Sequence, residues 1–319
     1  MVRLTTIGGG SGQFSLLSGL RDLPGTEIAA VVAMTDSGGS TGRLRDELGA
    51  LPPGDVLKCI VALSPHRESA RRLLLKRFTK TRRLSGHNAG NMLLTMLSWY
   101  VGSFPEGVAA LAEILEARGR ILPVTTDDAT LIAELTDGSR IVGEGAIDVP
   151  RSSRREKIRN VFLLSKDSGP ISVHPPVLEA IENADLVIVG PGDLYTSIIA
   201  NLIVPEVAET LAKTTARLVY VLNIMTKFGE TQQFRARDFL SKVESAIHRP
   251  FDTVVYNHRR PEPQVLERYR RQRAEFVALD NEDGWWNARK LVSADLVDTT
   301  GGVARHDPAK LAALIRSLL

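Results

Sequence analysis

The apolar positions of the chain are concentrated in short runs, and glycine-bearing loops and amphipathic segments separate these runs. Such runs are typical of strands covered on both faces, whereas the segments between them have helical spacing. The predicted strands of this type are residues 2–7, 28–34, 186–189 and 218–222. Strand, loop and helix therefore alternate, which predicts right-handed βαβ units whose ligand crevice opens at the carboxyl ends of the strands.

The same criteria predict the remaining elements. Pro52-Pro53-Gly54-Asp55 breaks the chain and caps the helix that follows. Pro205 interrupts another predicted helix. The predicted helices are residues 14–20, 56–64, 68–78, 92–101, 107–117, 178–183, 198–211, 236–247, 263–271 and 308–318, and two more strands are predicted at 253–256 and near 291–297.

Residues 131–147 have a different period. Apolar and polar residues alternate here, and Asp137-Gly138 separates the two alternating halves. An Asp-Gly pair between alternating runs predicts a β-hairpin. We therefore predict one Rossmann-like α/β domain over residues 1–319, with a doubly wound, mostly parallel sheet and a small β-hairpin appendage, in which residues 120–160 form the hairpin and a basic insertion.

Composition narrows the class of protein. The net charge is only +3 and aromatic residues make up 5% of the chain, which disfavours a nucleic-acid-binding protein. A single cysteine, Cys59, excludes an intramolecular disulfide and a clustered-thiolate zinc site. No apolar stretch is long enough for a membrane span, and the N-terminus has no signal-peptide pattern. We expect a cytoplasmic protein.

Three glycine-bearing loops follow predicted strands. They are residues 8–12, 37–42 and 190–193. Glycine permits a positive φ and lets backbone N–H groups approach a phosphate, which a following helix N-terminus also attracts. The three loops together predict a nucleotide cleft. Gln13 occupies the place of the third glycine of the dinucleotide-binding motif GxGxxG, so NAD stays a lesser alternative as the ligand. A purely structural turn is a second interpretation of the first loop.

Several polar residues accompany the loops. Asp36 ends the second strand, where a carboxylate can accept hydrogen bonds from a ribose, hold a hydrated cation or cap a turn. Arg43 and Arg45 follow the second loop and suit a phosphate or carboxylate. Polar groups beside long apolar segments need a capping or ligand role, and for one of them, His87, structural hydrogen bonding and catalysis are both open. These groups are Asp55, His87, Asn88 and Asn91.

Five strings resemble the signature segments of the YvcK/CofD family. They are TIGGGSG, VVAMTDSGGSTGRLRDELGALPPGD, SGHNAGN, ADLVIVGPGDLYTSIIANLIVPEVAE and VYVLNIMTKFGET. The ending VARHDPAKLAALI is similar to the YvcK branch, whose members are called gluconeogenesis factors, rather than to the CofD branch of 2-phospho-L-lactate transferases.

The resemblance implies a nucleotide-binding Rossmann-like fold. In the CofD branch a guanylylated phospholactate is joined to a deazaflavin with magnesium, whereas YvcK members bind nucleotide sugars such as UDP-N-acetylglucosamine and influence carbon metabolism, cell shape and the cell envelope. The matching ligand positions are Gly8, Gly10, Gly12, Asp36, Gly38, Gly39, Asn91, Gly192, Asn223, Tyr269 and Arg305, the last two toward the sugar diphosphate.

One departure from the family pattern concerns the metal. Members usually carry two adjacent aspartates at the end of the second strand, whereas here Asp36 precedes Ser37, which weakens a hard-cation site.

Two hypotheses about function follow. The first is a UDP-sugar-binding regulator with protein partners. The second is a transferase in which Asp36, with Asp55 or Asp193, holds Mg²⁺ while Arg43 or Arg45 stabilises developing charge.

The sequence leaves several features open. We expect a UDP-sugar as the ligand, with GDP and NAD as alternatives. We expect a homodimer, because α/β folds with exposed apolar edges commonly pair.

Overall fold

The computed structural model describes residues 1–79, 84–150, 152, 154–280 and 284–319. The strands of this part of the chain are β1 Val2–Gly8, β2 Thr26–Val32, β3 Arg120–Pro123, β4 Ala129–Leu135, β5 Arg140–Val142, β6 Ile158–Ser165, β7 Leu186–Val189, β8 Arg217–Val221, β9 Thr253–Asn257, β10 Lys290–Ala294, β11 Val297–Asp298 and β12 Arg305–His306.

The α-helices connect these strands. They are α1 Gly10–Leu20, α2 Gly39–Leu48, α3 Gly54–Leu63, α4 Arg67–Ala70, α5 Ala89–Val101, α6 Phe104–Ile114, α7 Glu144–Asp148, α8 Pro175–Glu182, α9 Ala200–Leu202, α10 Val207–Lys213, α11 Ala236–Ile247, α12 Pro263–Arg271 and α13 Pro308–Leu318. Residues Arg71–Leu75 and Leu194–Ile199 form π-helical turns, and Trp285–Ala288 forms a 3₁₀ turn.

The main sheet has seven parallel strands in the order β10-β9-β8-β7-β1-β2-β3. Because the chain leaves β1 toward β2 and later returns to β1's other side through β7, the strand order reverses between β1 and β7. The Rossmann-like, doubly wound prediction is confirmed. In such sheets the ligand crevice lies at this reversal, outside the carboxyl ends of the strands.

Helices cover both faces of this sheet, which is why its central strands are apolar. Leu4 and Ile7 of β1 and all four residues of β7 are buried. Helix α1 packs against α3 and α13. A Cβ at Gly19 would lie 2.1 Å from the carbonyl oxygen of Pro308, so glycine permits the close approach of α1 and α13.

The predicted appendage is a three-stranded antiparallel sheet in the order β5-β4-β6. The turn at Asp137-Gly138 lies between β4 and β5, so the hairpin prediction is confirmed. The predicted boundaries need correction at both ends. Residues Arg120–Pro123, assigned to the insertion, form edge strand β3 of the main sheet, and β6 runs past residue 160 to Ser165.

Two helical predictions also need correction. The second glycine loop is shorter than expected because helix α2 begins at Gly39, although glycine, serine and threonine are weak helix formers. The helix predicted over residues 68–78 is α4 followed by a π-helical turn, and it ends at Lys76, whose backbone is extended. The predicted break near Pro205 lies between α9 and α10.

The helices within the described ranges include none that is both long enough and apolar enough to cross a lipid bilayer.

Candidate functional site

A cavity of about 630 Å³ opens at the carboxyl ends of β1 and β7, where the strand order reverses. The first and third glycine loops form one rim. The opposite rim comes from the C-terminal part of the chain, including Tyr269 and residues 303–306. The volume is in the range of pockets that enclose small-molecule ligands.

The first and third glycine loops touch each other. A Cβ at Gly12 would lie 2.3 Å from the carbonyl oxygen of Pro191 and 3.0 Å from the backbone nitrogen of Gly192. Both loops line the cavity. Their contact fixes the separation of the two sets of backbone amides, so the predicted convergence of these two loops is observed.

The N-terminus of α1 faces the cavity through Ser11 and Gly12. Its N-cap residue is Gly9, which has no side chain to cap the helix, and the first turn carries no acidic residue. The amide of Gly10 donates to Asp55 Oδ2 at 2.7 Å. The following amides and the positive end of the helix dipole suit an anionic group.

The opposite rim combines a tyrosine with the β12 strand. The Tyr269 hydroxyl accepts a hydrogen bond from the Ala304 amide at 3.1 Å, which fixes the ring beside Arg305 and His306. Burial lowers the pKa of His306 to about 4, so its ring is neutral at pH 7. Ile224 and Met225, which belong to a small apolar cluster with Val297, also line the cavity.

Asn223, which follows β8, lines the cavity beside the third glycine loop. Its side-chain nitrogen donates to the carbonyl oxygen of Gly192 at 2.8 Å. Its Oδ1 is buried and has no hydrogen-bond partner among the described residues. Asn223 therefore holds the third glycine loop in place.

Lys227 lies in the cavity wall and pairs with three carboxylates. Its ammonium contacts Asp148 from the insertion, Asp193 Oδ2 at 2.7 Å and Glu230 Oε1 at 3.1 Å. Although burial alone would lower it, attraction by these carboxylates raises the pKa of Lys227. Burial raises the pKa of Glu230 to about 7, against the opposing effect of Lys227. The three carboxylates are grouped as in a cation site, with one oxygen of each within 4.8 Å of the others. The lysine ammonium hydrogen-bonds to Asp148 and Asp193 and forms an ion pair with Glu230.

The second glycine loop does not line this cavity. The amide of Gly38 donates to Asp36 Oδ1 at 2.8 Å, and a Cβ at Gly39 would lie 3.0 Å from the Arg77 guanidinium. A Cβ at Gly42 would lie 2.2 Å from the Ser37 carbonyl oxygen. The second loop is thus packed by its own neighbours, and the expected convergence of all three loops on one cavity is not observed.

Three carboxyl groups that do not line the cavity, those of Asp36, Asp55 and Glu144, interact electrostatically. Burial, and next the Asp55 carboxylate, raise the pKa of Asp36. Burial, and next Asp36, raise the pKa of Glu144 to about 8. Asp55 joins this group to the first loop, because it accepts from Gly10 and pairs with Lys58 at 2.8 Å. The shifts reflect like charges held together in a poorly hydrated place.

Ser37, which directly follows Asp36, contacts the insertion. Its amide donates to Glu144 Oε2 at 3.2 Å, and its hydroxyl accepts from the Gly145 amide at 2.9 Å. An aspartate at this position would place another carboxylate beside Glu144.

The two arginines of the second loop differ in environment. Arg45 is buried and donates to the carbonyl oxygens of Asp36 and Ala129 at 3.0 and 2.9 Å, and it pairs with Asp128 at 2.5 Å. Two of its guanidinium nitrogens therefore have partners within the protein, and the suggested charge-stabilising role of Arg45 stays a prediction. Arg43 donates to the Ser85 carbonyl oxygen at 2.7 Å, away from the cavity.

The SGHNAGN segment has structural partners. Asn88 caps α5 by accepting from the Asn91 amide at 2.7 Å, and His87 Nδ1 lies 3.0 Å from Ser40 Oγ. Asn91 is 2% exposed, and its side-chain nitrogen is 3.5 Å from Thr41 Oγ1. Burial, and next Arg43, lower the pKa of His87. This segment packs against α2 and does not line the cavity.

Comparison with known proteins places the chain in a family. The family model for 2-phospho-L-lactate transferase CofD matches residues 4–297. The chain belongs to the CofD/YvcK family. The gluconeogenesis factor of Bacillus subtilis is 35% identical over 318 residues, covering 99% of this chain and 98% of that protein. The gluconeogenesis factor of Halalkalibacterium halodurans is 36% identical over 313 residues, covering 98% and 95%. A crystal structure of a Bacillus halodurans protein has a TM-score of 0.92 and 35% identity, covering 99% of each chain.

In this CofD/YvcK chain the predicted ligand residues fall into two groups. Those that line the cavity are Gly10, Gly12, Gly192, Asn223, Tyr269 and Arg305, and those that do not are Gly8, Asp36, Gly38, Gly39 and Asn91. None of the predicted catalytic candidates lines the cavity; these are Asp36, Asp55 and Arg43. Asp55 does contact the rim of the cavity through Gly10. The ligand and catalytic roles of both groups stay predictions.

Sequence reasoning missed four polar residues. Lys227 and His306 line the cavity, and the insertion helix α7 brings Asp148 to Lys227 and Glu144 to Ser37. Lys227 directly follows the segment Asn223-Ile224-Met225-Thr226 at the carboxyl end of β8, and this position in the sequence could have identified it. The two acids of α7 carried no such signal, because only tertiary packing brings the insertion to the main sheet.

Proposed function

We propose that the cavity binds a nucleotide sugar, with a UDP-sugar as the expected ligand, and that the protein is a ligand-sensing regulator of carbon metabolism. The observation that carries this proposal is the contact between Gly12 and Pro191. It aligns two glycine loops and the N-terminus of α1 on one rim of the cavity. Backbone amides and a helix N-terminus suit a diphosphate.

The remainder of the cavity suits the two ends of a nucleotide sugar. Tyr269 and the apolar side chains of Ile224 and Met225 provide a surface for a flat or partly apolar group. Arg305 adds a cation near this rim. A ligand with a central diphosphate between two ring systems matches this distribution of polar and apolar groups.

The regulatory part of the proposal is supported by names of relatives and by the insertion. Two relatives at 35% and 36% identity are named gluconeogenesis factors. The pair between Lys227 and Asp148 joins the cavity wall to the insertion. A diphosphate that attracts Lys227 weakens its hold on Asp148, so ligand binding favours a different placement of α7. Partner proteins then detect the change in this surface, with effects on gluconeogenic growth, cell shape and the cell envelope.

Isothermal titration tests the proposal. UDP-N-acetylglucosamine, UDP-glucose, GDP and NAD are each titrated with and without Mg²⁺. We expect a UDP-sugar to bind with little dependence on Mg²⁺, and Arg305→Ala to weaken it at least tenfold. Arg217→Ala, an exposed arginine at the opposite end of the sheet, serves as the control and leaves binding unchanged. Flat titrations for every UDP-sugar would refute the proposal.

A second candidate function is transfer of the 2-phospho-L-lactate type, which the family match over residues 4–297 favours. Carboxylates suit Mg²⁺, and Asp36 and Glu144 lie with Asp55 in a poorly hydrated place where burial first, and like charge next, raise the pKa of both groups. If these acids held Mg²⁺, the ion would supply the positive charge that phosphoryl transfer requires. Neither acid lines the cavity, which is why we place this function second.

A product assay distinguishes the two functions. The protein is incubated with a guanylylated phospholactate, a deazaflavin acceptor and Mg²⁺. Transfer predicts consumption of both substrates and complete loss of turnover in Asp36→Asn. No product above background would remove the enzymatic function and leave UDP-sugar binding as the function to test.

A further inference from the structure

The outer face of α5 is apolar and exposed. The residues Leu93, Met96 and Tyr100 follow each other at spacings of three and four and therefore form one stripe on the helix. Met96 is 45% and Tyr100 is 82% exposed, and the neighbouring Trp99 is 57% exposed. Large apolar side chains that are grouped in this way mark an interaction surface rather than ordinary scatter.

The outer face of α5 is separate from the face that packs into the hydrophobic core. The opposite face of α5 carries the buried residues Asn91, Leu94 and Thr95 and packs against α3 and α6. Residues 84–103 contain no acidic residue, lysine or arginine. A solvent-facing helix surface normally carries charged residues, whereas the outer face of α5 is uncharged and no element among the described residues covers it.

The two ends of α5 differ in charge. At its start, the basic segment 71–77 lies alongside, because Leu74 packs at Gly90 and Arg77 forms a β-bridge with Asn88. Arg71, Arg72 and Lys76 of this segment are exposed. At its end, the negative pole of the helix dipole lies beside Glu106, whose carboxylate would be 3.9 Å from a Cβ at Gly102.

We propose that the outer face of α5 pairs with α5 of a second copy of this chain, antiparallel, across a two-fold axis near Met96. A two-fold axis perpendicular to a helix makes the two helices antiparallel. The basic start of one α5 then meets the acidic end of the other, whereas a parallel arrangement would bring like charges together. The apolar stripe supplies the uncharged centre that interface cores have.

Helix length agrees with such a contact. Thirteen residues of α-helix are about 20 Å long. In the antiparallel arrangement Leu93 of one copy lies near the partner's Trp99 and Tyr100, and Met96 lies near the partner's Met96. The exposed side chain of Leu73, on the turn beside α5, widens the apolar area.

The oligomeric state tests this proposal directly. Analytical ultracentrifugation of the whole chain should show a dimer, and Met96→Glu and Tyr100→Glu should each raise its dissociation constant at least a hundredfold. Because both side chains are exposed, these variants keep the fold, which far-UV circular dichroism and the melting temperature verify. Val142→Glu and Leu164→Glu place the same charge on exposed apolar positions of the insertion and should leave the dimer intact.

Cross-linking tests the orientation. Cys59 is buried, so a new surface cysteine is the reactive one. Under mild oxidation Met96→Cys should give a covalent dimer in high yield, and Val142→Cys should not. A mixture of the Leu93→Cys and Tyr100→Cys variants distinguishes the antiparallel arrangement from a parallel one with the axis along α5. In the antiparallel arrangement the mixed dimer should form in excess over either self-pair. An excess of the self-pairs would overturn the antiparallel arrangement.

Charge reversal tests the electrostatic part. Arg72→Glu should weaken the dimer about tenfold, and Glu106→Arg in the same chain should restore part of the loss. A wild-type protein that stays monomeric at high concentration would overturn the proposal. So would a monomer that sediments with vesicles of anionic phospholipid but not of phosphatidylcholine, because the face would then bind lipid.

Discussion

Gly12 in the first turn of α1 lies directly against Pro191 in the loop after β7, where a Cβ would come within 2.3 Å of the proline carbonyl oxygen. Both residues follow strands that are neighbours at the reversal of strand order. The contact joins the two halves of the sheet at the cavity rim. The position of one glycine therefore affects both the packing and the amides that face the cavity.

Gly12→Ala should displace one of the two loops. We expect a loss of about 1–3 kcal/mol in the free energy of unfolding, because the added methyl group meets backbone rather than a flexible side chain. UDP-sugar binding should weaken more than tenfold. Urea denaturation and titration measure the two effects. Gly169→Ala is the matched control, because a Cβ there meets no atom of the described residues within 4 Å; an equal effect of both variants would contradict this account.

Glu144→Gln should change how stability depends on pH. The pKa of Glu144 is raised from 4.5 to about 8 in the folded protein, so the folded state binds the extra proton between these values. Stability therefore falls as pH rises through this window. The glutamine cannot ionise, and we expect the variant to be more stable than wild type at pH 9 by about 2 kcal/mol, with no difference at pH 4.

Thermal and urea unfolding at several pH values measure this difference. Glu113→Gln, an exposed acid on α6, is the control and should follow the wild-type profile. A Glu144→Gln profile parallel to that of wild type would show that Glu144 titrates normally in the folded protein.

Arg45→Met should destabilise the fold. The substitution leaves Asp128 without its arginine and leaves the carbonyl oxygens of Asp36 and Ala129 without that donor. We expect a loss of about 3 kcal/mol in the free energy of unfolding. Arg43→Met, two residues earlier and half-buried, should cost under about 1 kcal/mol. If the two variants were equally stable, Arg45 would not connect the second loop to the insertion.

Lys227→Met should leave the buried Glu230 without its cation. We expect a loss of about 3–5 kcal/mol at pH 9, where Glu230 is ionised. The pKa of Glu230 should rise above 7, because the attraction that lowers it is removed. The loss should therefore be smaller at pH 6, and Glu230→Gln in the same chain should recover part of it at pH 9. Urea denaturation at both pH values measures this, and a pH-independent loss would contradict it.

Much of the fold follows from local sequence. The apolar runs of β1, β2, β7, β8 and β9 identify the central strands because both faces of a parallel sheet are buried. Asp137-Gly138 identifies the hairpin because an Asp-Gly pair fits its turn geometry. The first and third glycine loops likewise indicate the cavity, since each directly follows a central strand.

Other features depend on contacts between distant residues. Helix α2 forms although its first residues are weak helix formers, since the packing of Gly42 on Ser37 and the hydrogen bonds of Arg45 stabilise it. β3 is too short and too exposed at its start to show strand periodicity, and pairing with β2 defines it.

The sequence by itself determined the strands, their alternation with helices and the two loops at the reversal of strand order, because these depend on side-chain polarity and backbone freedom within a few residues. Only the tertiary structure decided that the second glycine loop turns away from the cavity, that the insertion brings Asp148 to Lys227, and that Asp36 and Glu144 share a buried place. The physical reason is that charge pairing and burial act between residues about 80 to 110 positions apart, which no local pattern encodes.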